Sequence, residues 1–519
     1  MPKYFKDKYD VIIIGASLAG LSAALTLLDK GLSVLVIEQH NLPGGVATSF
    51  VRNGIELEAS LHEMLSVGSE KYPLKTRKFF EAHDIHVDWI RIPYAYRYVS
   101  NHIDVLVRAG EDGDFTNPSQ DIAKADNNSE ETFKKVKSFL EFCLKIHDEA
   151  DNISGKNISN MEMLTKHSDF VKILGYSVSE VMDSFKLNDI SKEILSAYWM
   201  YLGSPIDDTP FLVYAYLLAD YLGYGAYIPS HTSHEMSLKM LEAVINRGGQ
   251  VEFGLKVDKI LVKNHKVQGV KLNNDIEIQA PYVISGAYPN TVYGKMIEPH
   301  HEVPKMAIKT TNAMELGVSC FSLILILDKD YRELGIKDYA TFYAPHGLDT
   351  NKIFESGKSL NNWQYLTSIC TNVVKDGVTP CGTTFYSITY LPSGKSFQDM
   401  NVEQYEEYKK KNIDYFLEIE SKRLGIKLKE HILEMVVETP ISISHYVGAY
   451  MGTIYGYRHS MNNHSAAREQ MDKDEKFISG LAFAGAHEMV GDGMSPAISN
   501  GIKGANDILK EIENRKSKF

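Results

Sequence analysis

The sequence is short of cysteine, of clustered charge of one sign and of long apolar runs. Only four cysteines occur in 519 residues, Cys143, Cys320, Cys370 and Cys381, and none form a C-x-x-C pair. That argues against a disulfide framework and a zinc site, so no metal is expected; buried or incidental thiols in a reducing compartment fit better. No block of Lys or Arg occurs, and 55 Lys+Arg against 67 Asp+Glu leave a formal charge of −12. This balance argues against nucleic acid as a main partner. The 37 glycines follow no period of three, which excludes a collagen, and no internal repeat is visible. An apolar fraction of 44% with 24% charged residues is ordinary for a globular chain. The length corresponds to about three domains, or two large interleaved ones.

One run could be mistaken for a membrane span. Residues 11–28, VIIIGASLAGLSAALTLL, carry no charge. Asp10 and Asp29 bound the run, Gly15 and Gly20 punctuate it, and no small-x-small cleavage site follows. A strand, a tight turn and a helix explain it better. The expected compartment is the cytoplasm.

The β-branched run at 9–14 reads as a strand buried on both faces. Residues 15–20 form a turn, the Ala/Leu-rich stretch 21–30 a helix stopped by Gly31, and SVLVIE at 33–38 a second buried strand. This unit opens a nucleotide-type α/β domain. A helix is expected at about 130–149, with Phe139, Phe142 and Ile146 on one face, and 161–225 is mostly helical. Short alternating strands fill 248–286, ending in the buried strand YVISG. Strand-like segments CFSLILIL and TFYSITYL and a charged helix at 403–424 follow. Residues 480–510 return to strand, glycine-rich loop and helix, and the basic end ENRKSKF reads as a frayed tail.

The string G-A-S-L-A-G spans residues 15–20, with Gly15, Ser17, Leu18, Ala19 and Gly20 the candidate cofactor-binding positions around the helix start. First-turn N–H groups and the helix dipole favour an anion there, as for a dinucleotide pyrophosphate. Ser17 replaces the middle glycine of G-x-G-x-x-G, where the backbone must approach the phosphate. Glu38 ends the next strand, 23 residues after Gly15, where an acid takes ribose hydroxyls.

The segment PGGVATSFVRNGIELEASLHEM, 43–64, places Gly44, Gly45 and Arg52 after that strand. Paired glycines permit close backbone approach, and an Arg offsets phosphate charge. With the first motif, this segment resembles the FAD-dependent phytoene desaturase, carotenoid isomerase and retinol saturase group of the amine oxidase-like flavoproteins. The resemblance implies that Gly44 and Gly45 run along the FAD pyrophosphate, with Arg52 at the phosphates or supporting the loop. It aligns YIPSHTSHEM onward with an element preceding an adenine-contacting strand, so Val257 would meet the adenine. His231, where glycine is usual, is either a substrate-side group or a satisfied residue at a helix start. It puts Gly485 and Ala486 by the ribityl chain, and Gly493 and Met494 at the pyrimidine end of the isoalloxazine.

The implied fold is α/β, a Rossmann-type FAD-binding domain (1–100, 225–300 and 440–519) interleaved with a mixed-sheet plus helical substrate domain (101–224 and 301–439). The implied activity is an FAD-dependent oxidoreductase working on C–C or C=C bonds of an apolar polyene, retinoid or lipid by hydride transfer at flavin N5. Desaturation, saturation and isomerisation stay open, as does oligomeric state. An apolar substrate also implies peripheral membrane contact. The alternatives are an amine oxidase-type enzyme, with Glu58, His62 and Glu63 as its polar anchor, and a non-catalytic lipid binder on the same fold. For proton handling, His487 and Glu488 rank first because they replace usually non-ionisable residues in the C-terminal loop. Glu58, His62 and His231 follow.

Overall fold

A computed structural model describes residues 5–154, 156, 158–359, 365–463, 477–488 and 491–517. A five-stranded parallel sheet lies at the base. Its order is Leu481–Phe483, Tyr282–Ser285, Val11–Ile14, Val34–Glu38 and Gln250–Phe253. Three distant stretches of chain therefore supply one sheet. The first strand is buried on both faces because alternate side chains enter different cores. Val11 and Ile13 pack with the helices Leu18–Leu28 and Met494–Lys516, whereas Ile12 joins Leu35, Ile37, Val257 and Val262 beneath the meander. That meander is a four-stranded sheet ordered Glu277–Gln279, Lys266–Leu272, Val257–Lys263 and Ile297–Glu298.

The second region is built on a seven-stranded mixed sheet. Its order is Ile432–Glu438, Phe321–Leu327, Thr384–Tyr390, Leu366–Ile369, Ala340–Ala344, Tyr96–Ser100 and Asp104–Val107. The strand Tyr96–Ser100 lies parallel to Ala340–Ala344, so this sheet begins just before residue 101. The helix Glu130–Ile153 buries Phe139 and Ile146 against Phe211 and the neighbouring helices, as its periodicity requires. The apolar stretch 211–229 is interior, running as the helix Phe211–Leu218, a π-helical turn and the short strand Tyr227–Pro229. Its single charge, Asp220, is fully buried, accepts from Ser66 Oγ and lies 3.3 Å from His147 Nε2. Among the described residues no helix is long and apolar enough to cross a membrane.

Two local expectations are corrected. The first helix begins at Leu18, not 21, because Ser17 caps it, accepting from Gly20 N at 3.3 Å. The basic end is not frayed from Glu513. The last helix continues to Lys516, held by the Arg515–Glu511 pair at 2.8 Å, and residues 518–519 lie outside the described residues.

Candidate functional site

The two glycine-containing turns expected along a pyrophosphate lie against each other. Gly44 N donates to Ala16 O at 2.8 Å, and Ser17 bridges Gly44 in parallel register. A Cβ on Gly45 would sit 3.2 Å from Ser17 Cβ. The departure from the glycine pattern is thereby explained. Ser17 has φ −68°, a conformation any residue adopts, and Gly45 gives up the volume that its side chain takes. Gly20 is needed for a different reason: a Cβ there would stand 2.0 Å from Gly15 O. Leu18 and Ala19 are buried in the first turn. Glu38 accepts from Ala16 N and His40 N, each at 2.8 Å, so its carboxylate ties the first turn to the second strand. Val257 is buried beyond that strand, beside Ile37 in the same core.

The C-terminal loop reaches the cradle from the other side. Asn500, fully buried, donates to Gly485 O at 2.9 Å and Gly491 O at 3.1 Å, clamping the loop at both ends. Gly493, with φ +102°, precedes Met494 at the start of the last helix and offers no side-chain cap. Gly501 brings that helix onto the first one, where its Cβ would meet Ala19 O at 2.1 Å. Two helix N-termini thus open with no acidic residue in their first turns. Both leave the helix dipole available to an anionic ligand. These residues fit the diphosphate and ring of a flavin dinucleotide. Among the described residues no group of three or more His, Cys, Asp or Glu is arranged to hold a metal.

The residues ranked for proton chemistry are spread over several environments. Glu488 pairs with Lys503 at 3.3 Å, and its N–H donates to Gly485 O at 3.1 Å. The His487 ring packs against Tyr288 at 4.9 Å and Phe483 at 5.8 Å. Nearby, Asp492 accepts from His459 Nε2 at 3.0 Å in a buried pair. Glu58 caps the helix Ser233–Asn246, accepting from Ser233 N at 2.9 Å and Ser233 Oγ at 2.5 Å, and burial raises its pKa. His231 is a surface residue, its side chain 66% exposed and its Nδ1 3.4 Å from Glu235. Arg52 is exposed on the hairpin Ser49–Arg52/Ile55–Glu58, where it lies over the Phe50 ring and donates to Val51 O at 3.0 Å. The structure does not bring its side chain to the glycine turns, because the strand carries it outward to the hairpin tip.

His62 and Glu63 enter a different setting. Desolvation lowers His62 to about 4 and raises Glu63 to about 8. Tyr339 donates to His62 O, and Tyr221 OH to Glu63 O at 3.4 Å. Around them stand Tyr198, Tyr201 and Phe342, with Tyr198 stacked on Tyr221 at 4.9 Å and Tyr201 at 5.8 Å from Phe342. Ser495 Oγ, in the first turn of the last helix, donates to Leu65 O at 2.7 Å. That bond ties this aromatic region to the helix N-terminus. Sequence reading named Glu63 only as part of an anchor. It missed Tyr198, Tyr201, Tyr339 and Asn500; the aromatic string SAYWMY at 196–201 was the one signal present.

The fold combines an N-terminal Rossmann-like, nucleotide-binding type of region with a larger mixed α/β region. The family description NAD(P)-binding Rossmann-like domain matches residues 13–80. The chain is 22% identical to an all-trans-retinol 13,14-reductase of Danio rerio, covering 97% of this chain and 86% of the relative. It is 23% identical to a chloroplastic prolycopene isomerase of Daucus carota, covering 86% and 72%. It is 22% identical to a 4,4'-diaponeurosporene oxygenase of Staphylococcus aureus, covering 98% and 99%. Among solved structures, a putrescine oxidase double mutant shares the fold at TM-score 0.63 and 16% identity, covering 97% and 99%. At 22–23% identity the chain is thus similar over most of its length to retinoid- and carotenoid-acting enzymes, and it shares its fold with the putrescine oxidase. This similarity supports enzymatic activity in general terms.

Proposed function

We propose that the protein is an FAD-dependent oxidoreductase that acts on a C–C or C=C bond of an apolar polyene, retinoid or lipid-like substrate. The observation that carries this reading is that relatives matched over 86% or more of this chain bear the names of polyene reductases, isomerases and oxygenases. Gly15–Gly20, Glu38, Gly44 and Gly45 would hold the dinucleotide, and Gly485, Ala486, Gly493 and Met494 its ring end. When bound, FAD supplies a two-electron centre that exchanges a hydride with a substrate carbon. The protein's own part is to align the substrate, exclude water and hold a proton. Tyr198, Tyr221 and Phe342 are buried and exclude water from the aromatic region. His487 and Glu488 on one wall, or Glu58 and His62 on the other, would manage the proton, with His231 the weakest choice because it is exposed. The substrate would be collected at a membrane surface from a cytoplasmic location, which liposome flotation tests.

The test of the reading is anaerobic. Purified yellow protein is incubated with a C20 polyene alcohol and, separately, with a small diamine, and the products are separated by chromatography. A polyene product with changed bond order or geometry is expected. Colourless protein, or turnover of the diamine alone, would overturn the proposal.

A further inference from the structure

Three polar groups in the aromatic region lack what buried polar groups normally have. Glu63 is 8% exposed, and neither of its carboxyl oxygens makes a hydrogen bond among the described residues. The hydroxyls of Tyr198 and Tyr201 are also buried and unbonded. Buried polar side chains nearly always find a partner, because an unmet donor or acceptor forfeits its hydration without return. Three orphans on adjoining residues are therefore informative. Tyr198 and Tyr201 rings lie 5.4 Å apart, and Tyr201 is 6.3 Å from the His62 ring. The Tyr201 phenol is near enough to Glu63 to hold its carboxyl down a little, yet neither group reaches a hydrogen bond of ordinary geometry.

Three rings of the region keep some exposure. His62, Tyr201 and Tyr455 are only half-buried, yet desolvation dominates the shift of all three. Each of these rings packs on protein while keeping part of its surface accessible, so the region is not sealed on every side. Tyr455 is fixed there by its bond to Met200 O at 2.8 Å. The Ser495–Leu65 bond sets this region beside the start of the last helix, where the ring end of the cofactor is proposed.

We propose that Glu63, Tyr198 and Tyr201 form a polar subsite that binds an uncharged oxygen-bearing end group, a hydroxyl or carbonyl, on an otherwise apolar substrate. This rests on the polyene reading and narrows it, since a pure hydrocarbon would leave all three groups unsatisfied. The protonated carboxyl donates to the substrate oxygen, and its carbonyl accepts from a substrate hydroxyl. The tyrosine hydroxyls serve in either sense. Burial keeps the carboxyl protonated near neutrality, so the cluster as a whole is neutral. The aromatic walls Tyr221, Tyr339 and Phe342 contribute the apolar surface next to it.

The test uses the flavin-loaded full chain and three probes of equal length: a C20 polyene alcohol, the matching hydrocarbon and the matching primary amine. Binding is read as quenching of tryptophan fluorescence, since Trp199 is buried next to Tyr198 and polyenes absorb its emission. The alcohol is expected to bind about tenfold or more tighter than the hydrocarbon. Glu63→Gln, which keeps a donor and an acceptor, should retain that preference within about threefold, while Glu63→Leu should erase it. Flavin content and melting temperature establish that both variants fold. Equal binding of alcohol and hydrocarbon overturns the subsite but leaves the polyene reading standing. Preference for the amine, abolished by Glu63→Gln, overturns it in favour of an ammonium anchor. Failure of all three probes to bind overturns both.

Discussion

Replacing Glu63 by glutamine should make the substrate-free protein more stable, by an amount that grows with pH. Burial raises the carboxyl from its ordinary 4.5 to about 8, and Tyr198, Tyr201, Tyr221 and Tyr339 stand round it with no cation among them. Below pH 4.5 the group is protonated in both folded and unfolded chains and contributes nothing. As pH rises from 4.5 to about 8, the unfolded chain releases the proton while the folded chain holds it, so stability falls. Above about 8 both states are ionised and the penalty is constant. At about 1.4 kcal/mol per pH unit, the interval amounts to about 5 kcal/mol. Local relaxation around the ionised group reduces this to about 2–5 kcal/mol. Glutamine does not titrate, so the variant should gain little at about pH 5 and that full amount at about pH 9. Urea unfolding followed by tryptophan fluorescence, at matched flavin content across this range, measures it. A difference independent of pH, or a wild type that gains on the variant as pH rises, would refute the isolated-carboxyl argument and show that Glu63 has a partner.

Four further outcomes follow from the same geometry. Gly15→Val should yield colourless protein, because φ is +99° there and the new side chain would fill the face of the cradle beside Glu38; the flavin-to-protein absorbance ratio checks it. Truncation before Gly480 should abolish flavin binding, since it removes the sheet strand Leu481–Phe483 and the helix packed through Gly501 on Ala19; a yellow truncated protein would refute the interleaved design. Asn500→Leu breaks the bonds to Gly485 O and Gly491 O, and should cost about 2–4 kcal/mol in unfolding and release flavin on gel filtration. Glu488→Gln should keep the flavin spectrum and lower turnover at least about tenfold if that wall handles the proton. Normal turnover there, with loss in Glu58→Gln, would move the proton chemistry to the N-terminal wall.

The nucleotide region was legible because its signals are local. A β-branched run, a tight turn, a helix and an acid at the next strand end succeed one another within residues 9–38, and neighbouring backbone geometry decides each of them. Even the departure at Ser17 was visible. Its explanation was not, because the compensating Gly45 meets Ser17 only after a second strand has returned the chain to the turn. Asn500 was hidden for a related reason. Nothing about an asparagine in a helical pattern reveals that its amide will face two loop carbonyls, nine and fifteen residues earlier.

Glu58 and Glu63 show where sequence reading of the site stops. Both lie in one short segment, and both are carboxyls whose pKa burial raises. Glu58 meets the first turn of a helix 175 residues away, and Ser233 satisfies both of its oxygens. Glu63 meets tyrosines from residues 198–201, 221 and 339; Tyr201 comes nearest its carboxyl, yet none makes a hydrogen bond of ordinary geometry to it. The same residue type at a spacing of five is therefore a helix cap in one case and an unmet binding group in the other. The difference lies entirely in which distant elements pack on the segment. A carboxylate that has a partner in the folded chain is accounted for by folding. One that has none costs stability, a cost that a ligand's polar group would offset. On that ground the weight within the segment shifts from Glu58, an acid already engaged, to Glu63, which remains open to a substrate.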